Sequence, residues 1–152
     1  MQRIKSFEVD HTKLEKGLYL SRIDEDIATY DLRMVKPNVP PFLENAGAHT
    51  FEHLMATYLR NSEYGKNVIY IGPMGCRTGF YLLFRDLPAK AVIDLIKSAL
   101  EFISRYHGEI PGSTKAECGN YLEHDLPKAK LYAKDMEDVL ANWQCDDLQY
   151  DV

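Results

Sequence analysis

The sequence predicts an α+β fold, a mostly antiparallel sheet packed against helices, in a single domain spanning residues 1–152. Three observations carry this reading. Two strand-like runs, Asn67 to Ile71 and Thr78 to Phe84, follow each other with only a short connector between them. Helical periodicity recurs in three other stretches. With 152 residues, 45% of them hydrophobic and 27% charged, the chain can build one real core but not two ordinary domains. No repeat, low-complexity segment or Gly/Ser linker divides it.

Taken in order, Tyr30, Leu32 and Met34 alternate with Thr29, Asp31 and Arg33, as on a half-buried strand. The stretch from Pro37 to Pro41 ends that strand. A helix is predicted from about Ala46 to Asn61, with Asn45 as its cap and Leu54, Met55, Tyr58 and Leu59 on its buried face. The connector between the two later strands reads Gly72-Pro73-Met74-Gly75-Cys76-Arg77. Pro88 suits the first turn of a long helix whose inner face carries Val92, Leu95, Ile96, Ala99, Leu100 and Ile103. Gly108 follows the end of that helix, and a loop then holds Cys118-Gly119-Asn120. Pro127 opens a further helix through about Ala141. The acidic tail with Asp146, Asp147 and Asp151 is expected to be solvated and frayed.

Charge and cysteine usage narrow the function classes. A net charge of −5 disfavours a general nucleic-acid or anionic-membrane binder. No apolar run approaches the length of a membrane span, and the first residues lack the apolar core of a secretion signal. Cys76, Cys118 and Cys145 are an odd number without C-x-x-C spacing. That usage suits a reducing cytoplasm, with thiols kept for metal binding or chemistry.

The sharpest chemical signal is His49-Thr50-Phe51-Glu52-His53, an H-x-x-E-H motif. On a helix, positions i and i+4 share a face, so both imidazoles can reach one metal ion. Glu52 stands close enough to handle protons on whatever that metal holds. A catalytic centre of the zinc type wants three protein ligands and one open position. Candidates for the third ligand are Cys76, Cys118, Cys145, His11, His107 and His124. Spacing alone leaves Cys76 and Cys118 both open, while His124 reads as a local structural contact beside Asp125 and Cys145 as incidental. Cys76 has a signal of its own, framed by Gly75 and Gly79 and followed by Arg77, whose charge favours a thiolate. The bland alternative for Cys76 is a small buried hydrophobe.

At this point the residues resemble a known family, S-ribosylhomocysteine lyase, the LuxS family. Ser6-Phe7-Glu8-Val9-Asp10-His11 is similar to its opening, as is Asp31-Leu32-Arg33 followed by Pro37-Asn38. His49 to Leu54 resembles its metal helix, Gly72 to Gly79 its catalytic loop and Glu117-Cys118-Gly119 its third-ligand loop. The matches run in order from residue 6 to about 130. The resemblance implies a LuxS/metallohydrolase-like fold and one divalent metal per chain, held by His49, His53 and Cys118. That metal would be ferrous iron, with zinc or cobalt able to occupy the site. It implies Cys76 and Glu52 as acid/base groups, and Ser6, His11 and Arg33 as pocket residues shared across a homodimer. One departure is visible: Tyr70 stands where many members carry an aspartate.

The implied substrate is a small molecule, a ribose joined through sulfur to homocysteine. Its C–S bond cannot break by simple elimination, because the neighbouring C–H is not acidic. A carbonyl must first move along the sugar from C1 to C3, each move being a proton transfer beside a carbonyl. A Lewis-acid metal polarises such an oxygen, and bases on either side shuttle the protons. Elimination then releases homocysteine and 4,5-dihydroxy-2,3-pentanedione, the precursor of the autoinducer-2 signal. Two rivals stand beside this reading. One is a small metallopeptidase in which Glu52 activates a metal-bound water. The other is a structural metal domain in which Cys76 closes a four-ligand shell.

Overall fold

Strand pairing in the computed structural model stacks Leu18, Leu32 and Phe80 in one row across a sheet, and Tyr30, Leu82 and Ile71 in another. These side chains are all buried and form the sheet side of the core. The structure describes residues 1–151; Val152, the last residue of the expected domain, lies outside the described residues. Among the described residues the sheet has four strands: β1 (Gly17–Asp24), β2 (Ile27–Arg33), β3 (Val68–Pro73) and β4 (Gly79–Arg85). Their order is β1-β2-β4-β3, antiparallel throughout. The expected α+β class is therefore observed.

Three helices cover the apolar face: α1 (Asn45–Asn61), α2 (Ala89–Ser104) and α3 (Leu126–Leu140). The inner face of α2 is the expected one, with Val92, Leu95, Ile96, Ala99, Leu100 and Ile103 all buried. Leu54, Met55 and Leu59 bury the corresponding stripe of α1. The α1 start differs from expectation. Asn45 is the first helical residue, the cap position belongs to Glu44, and no side chain caps it. Instead the Glu44 N–H donates to the Tyr132 hydroxyl of α3 at 2.8 Å. At Gly47 a Cβ would run into Tyr132 and Lys128, 2.6–3.0 Å away, so the missing side chain lets α3 close on α1. The start of α3 is capped in the usual way, Asp125 accepting from the Lys128 N–H at 2.9 Å, with Pro127 in the first turn.

The opposite face of the sheet is expected to be solvated, and at Asp31 and Arg33 it is not. Asp31 and Arg33 are 1% and 3% exposed. The C-terminal tail covers them. Trp143 donates to the Leu18 carbonyl, Leu148 is buried, and Tyr150 stacks on Tyr19 with ring centroids 4.9 Å apart. The Tyr150 hydroxyl donates to Asp31 at 2.7 Å. Asp146, Asp147 and Asp151 stay exposed, but Asp147 takes part in a reciprocal cap with Gln144 on a short 3₁₀ turn, Cys145–Leu148. The expectation of a frayed tail therefore fails: the sheet's polar face needs a cover, and this segment supplies it.

Candidate metal centre

His49 and His53 project from one face of α1, as the four-residue spacing requires. Each ring is steered by a main-chain carbonyl. The His49 Nδ1–H donates to the Glu123 carbonyl at 2.7 Å, and the His53 Nδ1–H to the Pro111 carbonyl at 2.9 Å. A carbonyl can only accept, so Nδ1 carries the proton and Nε2 keeps its lone pair for a metal. Both carbonyls belong to the irregular segment between α2 and α3. A Cβ on Gly112, where φ is +69°, would stand 3.5 Å from His53 Nδ1 in a conformation that side chains rarely adopt.

The same segment supplies the third donor. The Cys118 N–H bonds back to the Thr114 carbonyl, which turns the sulfur toward α1. Cys118 Sγ lies 3.3 Å from His49 Nε2 and 4.0 Å from His53 Nε2. Ligands bound at about 2.0–2.3 Å in a tetrahedron sit roughly 3.5 Å apart, so these three donors fit one ion. Two imidazoles and a thiolate suit a borderline-soft divalent cation.

A fourth group joins them. His124 Nε2 is 3.9 Å from Cys118 Sγ, its ring stacks on His49 at 3.9 Å, and all four potential donor atoms lie within 4.8 Å of one another. Burial, and then the neighbouring His49 and His53 imidazoles, push the His124 imidazole down to about 4, so it is neutral near pH 7. From sequence His124 is one of six candidate third ligands, with a local contact beside Asp125 as its preferred reading. Its place six residues after Cys118 was the available signal. The other candidates, Cys76, Cys145, His11 and His107, lie outside this cluster. Without Cys76 in it, the rival closed shell loses the residue it was built on.

A cavity of about 470 Å³ opens beside the cluster, lined by His49 and Glu52 from α1, by Pro73 at the end of β3 and by Met74, Gly75 and Arg77 from the β3–β4 connector. Cys76 sits between two of those lining residues and is exposed, which excludes the small buried hydrophobe. Its two framing glycines differ in surroundings. A Cβ at Gly75 would meet nothing within 4 Å, while one at Gly79 would strike the Leu32 carbonyl at 2.2 Å. Gly79 therefore serves strand pairing.

What fixes Cys76 is a relay through the sheet. Asp31 holds Arg33 in a two-point pair, Nη2–Oδ2 2.6 Å and Nε–Oδ1 3.1 Å. Burial disfavours the Arg33 charge, but the Asp31 carboxylate more than offsets this and holds the guanidinium above its usual range. Arg33 Nη1 donates to Thr78 Oγ1 at 2.8 Å, and that hydroxyl lies 3.0 Å from Cys76 Sγ. With its oxygen already accepting from arginine, Thr78 can turn its proton to the sulfur. Sequence reading missed Asp31 and Thr78, although Asp31 and Arg33 stand two apart on one strand face.

Within this chain Ser6 and His11 are not brought to the ligand cluster. Ser6 lines a separate cavity of about 320 Å³ on the sheet's polar face, with Ser21, Thr29, Tyr70 and Tyr81. His11 bonds the Val9 carbonyl through Nδ1 at 2.8 Å and lines neither cavity. Tyr70 is exposed, and its ring folds over Gly72.

Comparison with known proteins places this arrangement. Residues 4–146 match the family model for S-ribosylhomocysteinase (LuxS). The S-ribosylhomocysteine lyase of Finegoldia magna is 46% identical, with 99% of each chain covered. That of Phocaeicola vulgatus is 44% identical over 99% of this chain and 98% of its own. The Borreliella burgdorferi enzyme of the same name is also 44% identical, again covering 99% of both chains.

Proposed function

This chain belongs to the S-ribosylhomocysteinase (LuxS) family, and from that premise we propose that it cleaves S-ribosylhomocysteine to homocysteine and 4,5-dihydroxy-2,3-pentanedione. The observation that carries the reading is the convergence of His49, His53 and Cys118 on one point, beside a cavity that Glu52 and the Cys76 connector share. His49, His53 and Cys118 would hold a divalent ion, which would supply Lewis acidity at the sugar's carbonyl. Ferrous iron is the proposed ion, with zinc or cobalt as competent substitutes.

Glu52 and Cys76 are the proposed proton carriers. Each carbonyl shift removes a proton from one sugar carbon and returns one to its neighbour, so two groups flanking the carbon chain meet the need. In the last step the C–H proton beside the C3 carbonyl is removed, and a C=C bond forms as the C–S bond breaks. Homocysteine leaves as its thiolate and takes up one proton; the enol left behind tautomerises to the diketone. Reactant and products balance without an external oxidant or reductant. The location of Cys76 outside the ligand cluster supports a proton-carrying role over ligation.

The resemblance gives Ser6, His11 and Arg33 as pocket residues; we propose that Ser6 and His11 complete the site of a second copy in a homodimer, while Arg33, 3% exposed and in neither cavity, serves the site without lining it. The family resemblance is the reason to invoke a partner, and the absence of Ser6 and His11 from the lining of the cluster's cavity within one chain supports it. Sedimentation giving a monomer mass would count against the shared pocket. Arg33 acts chiefly from beneath, through Thr78, because Asp31 occupies its main fork. The three free thiols support a reducing cytoplasm as the place of action.

The direct test is incubation of the metal-loaded protein with S-ribosylhomocysteine and assay of released thiol. Stoichiometric homocysteine is expected; none from fully loaded protein would sink the proposal. The metallopeptidase rival predicts instead that a peptide substrate is cut.

A further inference from the structure

The C-terminal tail reaches the Cys76 relay from its far end. The Asp31 carboxylate on β2 takes donors from two directions. Arg33 makes one contact at each oxygen, Nε–Oδ1 3.1 Å and Nη2–Oδ2 2.6 Å. The Tyr150 hydroxyl adds a second donor at Oδ2, 2.7 Å away. Asp31 is buried, so these donors set how its charge is shared. Covering the sheet does not require that hydroxyl. The Tyr150 ring already stacks on Tyr19, and Leu148, two residues earlier, is buried. A phenylalanine would cover the face as well. What the hydroxyl adds is a proton aimed at the carboxylate.

Arg33 carries the effect onward. Its remaining nitrogen, Nη1, donates to Thr78 Oγ1 at 2.8 Å, and that hydroxyl lies 3.0 Å from Cys76 Sγ. A donor at Oδ2 draws negative charge toward itself, so the carboxylate neutralises less of the guanidinium. More of the Arg33 charge then acts on Thr78 and the sulfur, which favours a thiolate. We propose that Tyr150 is a positioning residue for the reaction, acting through Asp31, Arg33 and Thr78 to keep Cys76 in its proton-accepting form. The tail is thereby part of the site's electrostatics as well as a cover for the sheet. Other groups also act on Cys76: Arg77 beside it, Tyr81 on β4, and Glu52 and His49 of α1 across the shared cavity. Around the Tyr150 hydroxyl stand Ser21 of β1 and Asp31 and Arg33 of β2. Tyr150→Phe leaves all of these in place.

This rests on the reading of Cys76 as a proton carrier, and the test reads the sulfur without needing turnover. Metal-loaded wild type and Tyr150→Phe are alkylated with iodoacetamide from mildly acidic to alkaline pH, and the Cys76 peptide is followed by mass spectrometry. At neutral pH the variant should react about two- to threefold more slowly, the low end of one hydrogen bond's worth, because the effect arrives through further groups. The two rates should converge at alkaline pH, where thiols are ionised in both proteins. Equal rates at neutral pH would overturn the inference. So would a slowing that persists at alkaline pH, which marks changed access and not changed charge. The route is tested in a second background. Thr78→Val removes the hydroxyl between Arg33 and the sulfur, and there Tyr150→Phe should slow alkylation by less than it does alone; equal slowing would overturn the relay. Thr78→Ser, which keeps the hydroxyl, should show the full Tyr150→Phe effect, and loss of the effect there would count equally against it. Failure of the proton-carrier reading shows differently: Cys76→Ala would still release homocysteine while the alkylation difference stands.

Discussion

The ligand cluster and the Cys76 connector lie beside one cavity, yet they are held in opposite ways. The imidazoles of His49 and His53 are oriented by main-chain carbonyls of an irregular segment, at Pro111 and Glu123. Cys76 is oriented by side chains, through Thr78 and Arg33 to the buried Asp31. A site steered by backbone depends on the path of a loop and tolerates many side-chain changes in that loop. A site steered by a buried ion pair depends on two or three residues that cannot be changed singly without cost. The two halves should therefore fail separately.

The largest effect should come from the cluster. His53→Ala removes a donor and leaves two, so metal content by elemental analysis should fall sharply and homocysteine release should vanish, while the fold persists. Full metal in that variant would dissolve the proposed ligand set. Next is Asp31→Ala, which leaves the Arg33 charge buried without its partner. Loss of one member of a buried pair costs about 3–5 kcal/mol, to be read from urea unfolding. If the halves are separate, the surviving folded protein still binds its metal; co-loss of metal would join them.

The smallest effect concerns the tail. Tyr150→Phe deletes one hydrogen bond to Asp31 and should cost about 1 kcal/mol. Burial, and then the Asp31 charge, raise the Tyr150 hydroxyl well above the ordinary tyrosine range. The folded state thus holds that proton more tightly than the unfolded chain does. Its contribution is complete below the unfolded value, about 10, and is lost as pH rises beyond it. Wild-type stability should decline above that pH, and Tyr150→Phe should decline less steeply. Some slope should remain, because Tyr19, Tyr30 and Tyr81 are raised by burial too. Parallel curves would mean that the tail does not cover Asp31 in solution.

What could be read from sequence follows the range of the interactions. The histidine pair was legible because four-residue spacing on a helix is a local fact, and the inner face of α2 for the same reason. Cys118 was a candidate on composition and a turn, but choosing it over Cys76 needed the resemblance. His124 was passed over because its approach depends on how the 105–125 segment closes on α1, which no local pattern encodes. β1 went unread because its alternation breaks at a bulge between Leu20 and Arg22, and its second half is exposed. The turn after it uses Glu25 at φ 56°, with neither Gly nor Asn to mark it. Asp31 and Arg33 were expected to face water, since nothing near them in sequence announces that the tail, more than a hundred residues on, would cover them.

The separation of the two halves is tested most directly in Cys76→Ala, by measuring bound metal and released homocysteine on one sample. The expected result is one metal ion per chain with thiol release lowered on the order of 10²–10⁴, as for loss of one proton carrier. A metal-empty Cys76→Ala protein would contradict it and make Cys76 a ligand.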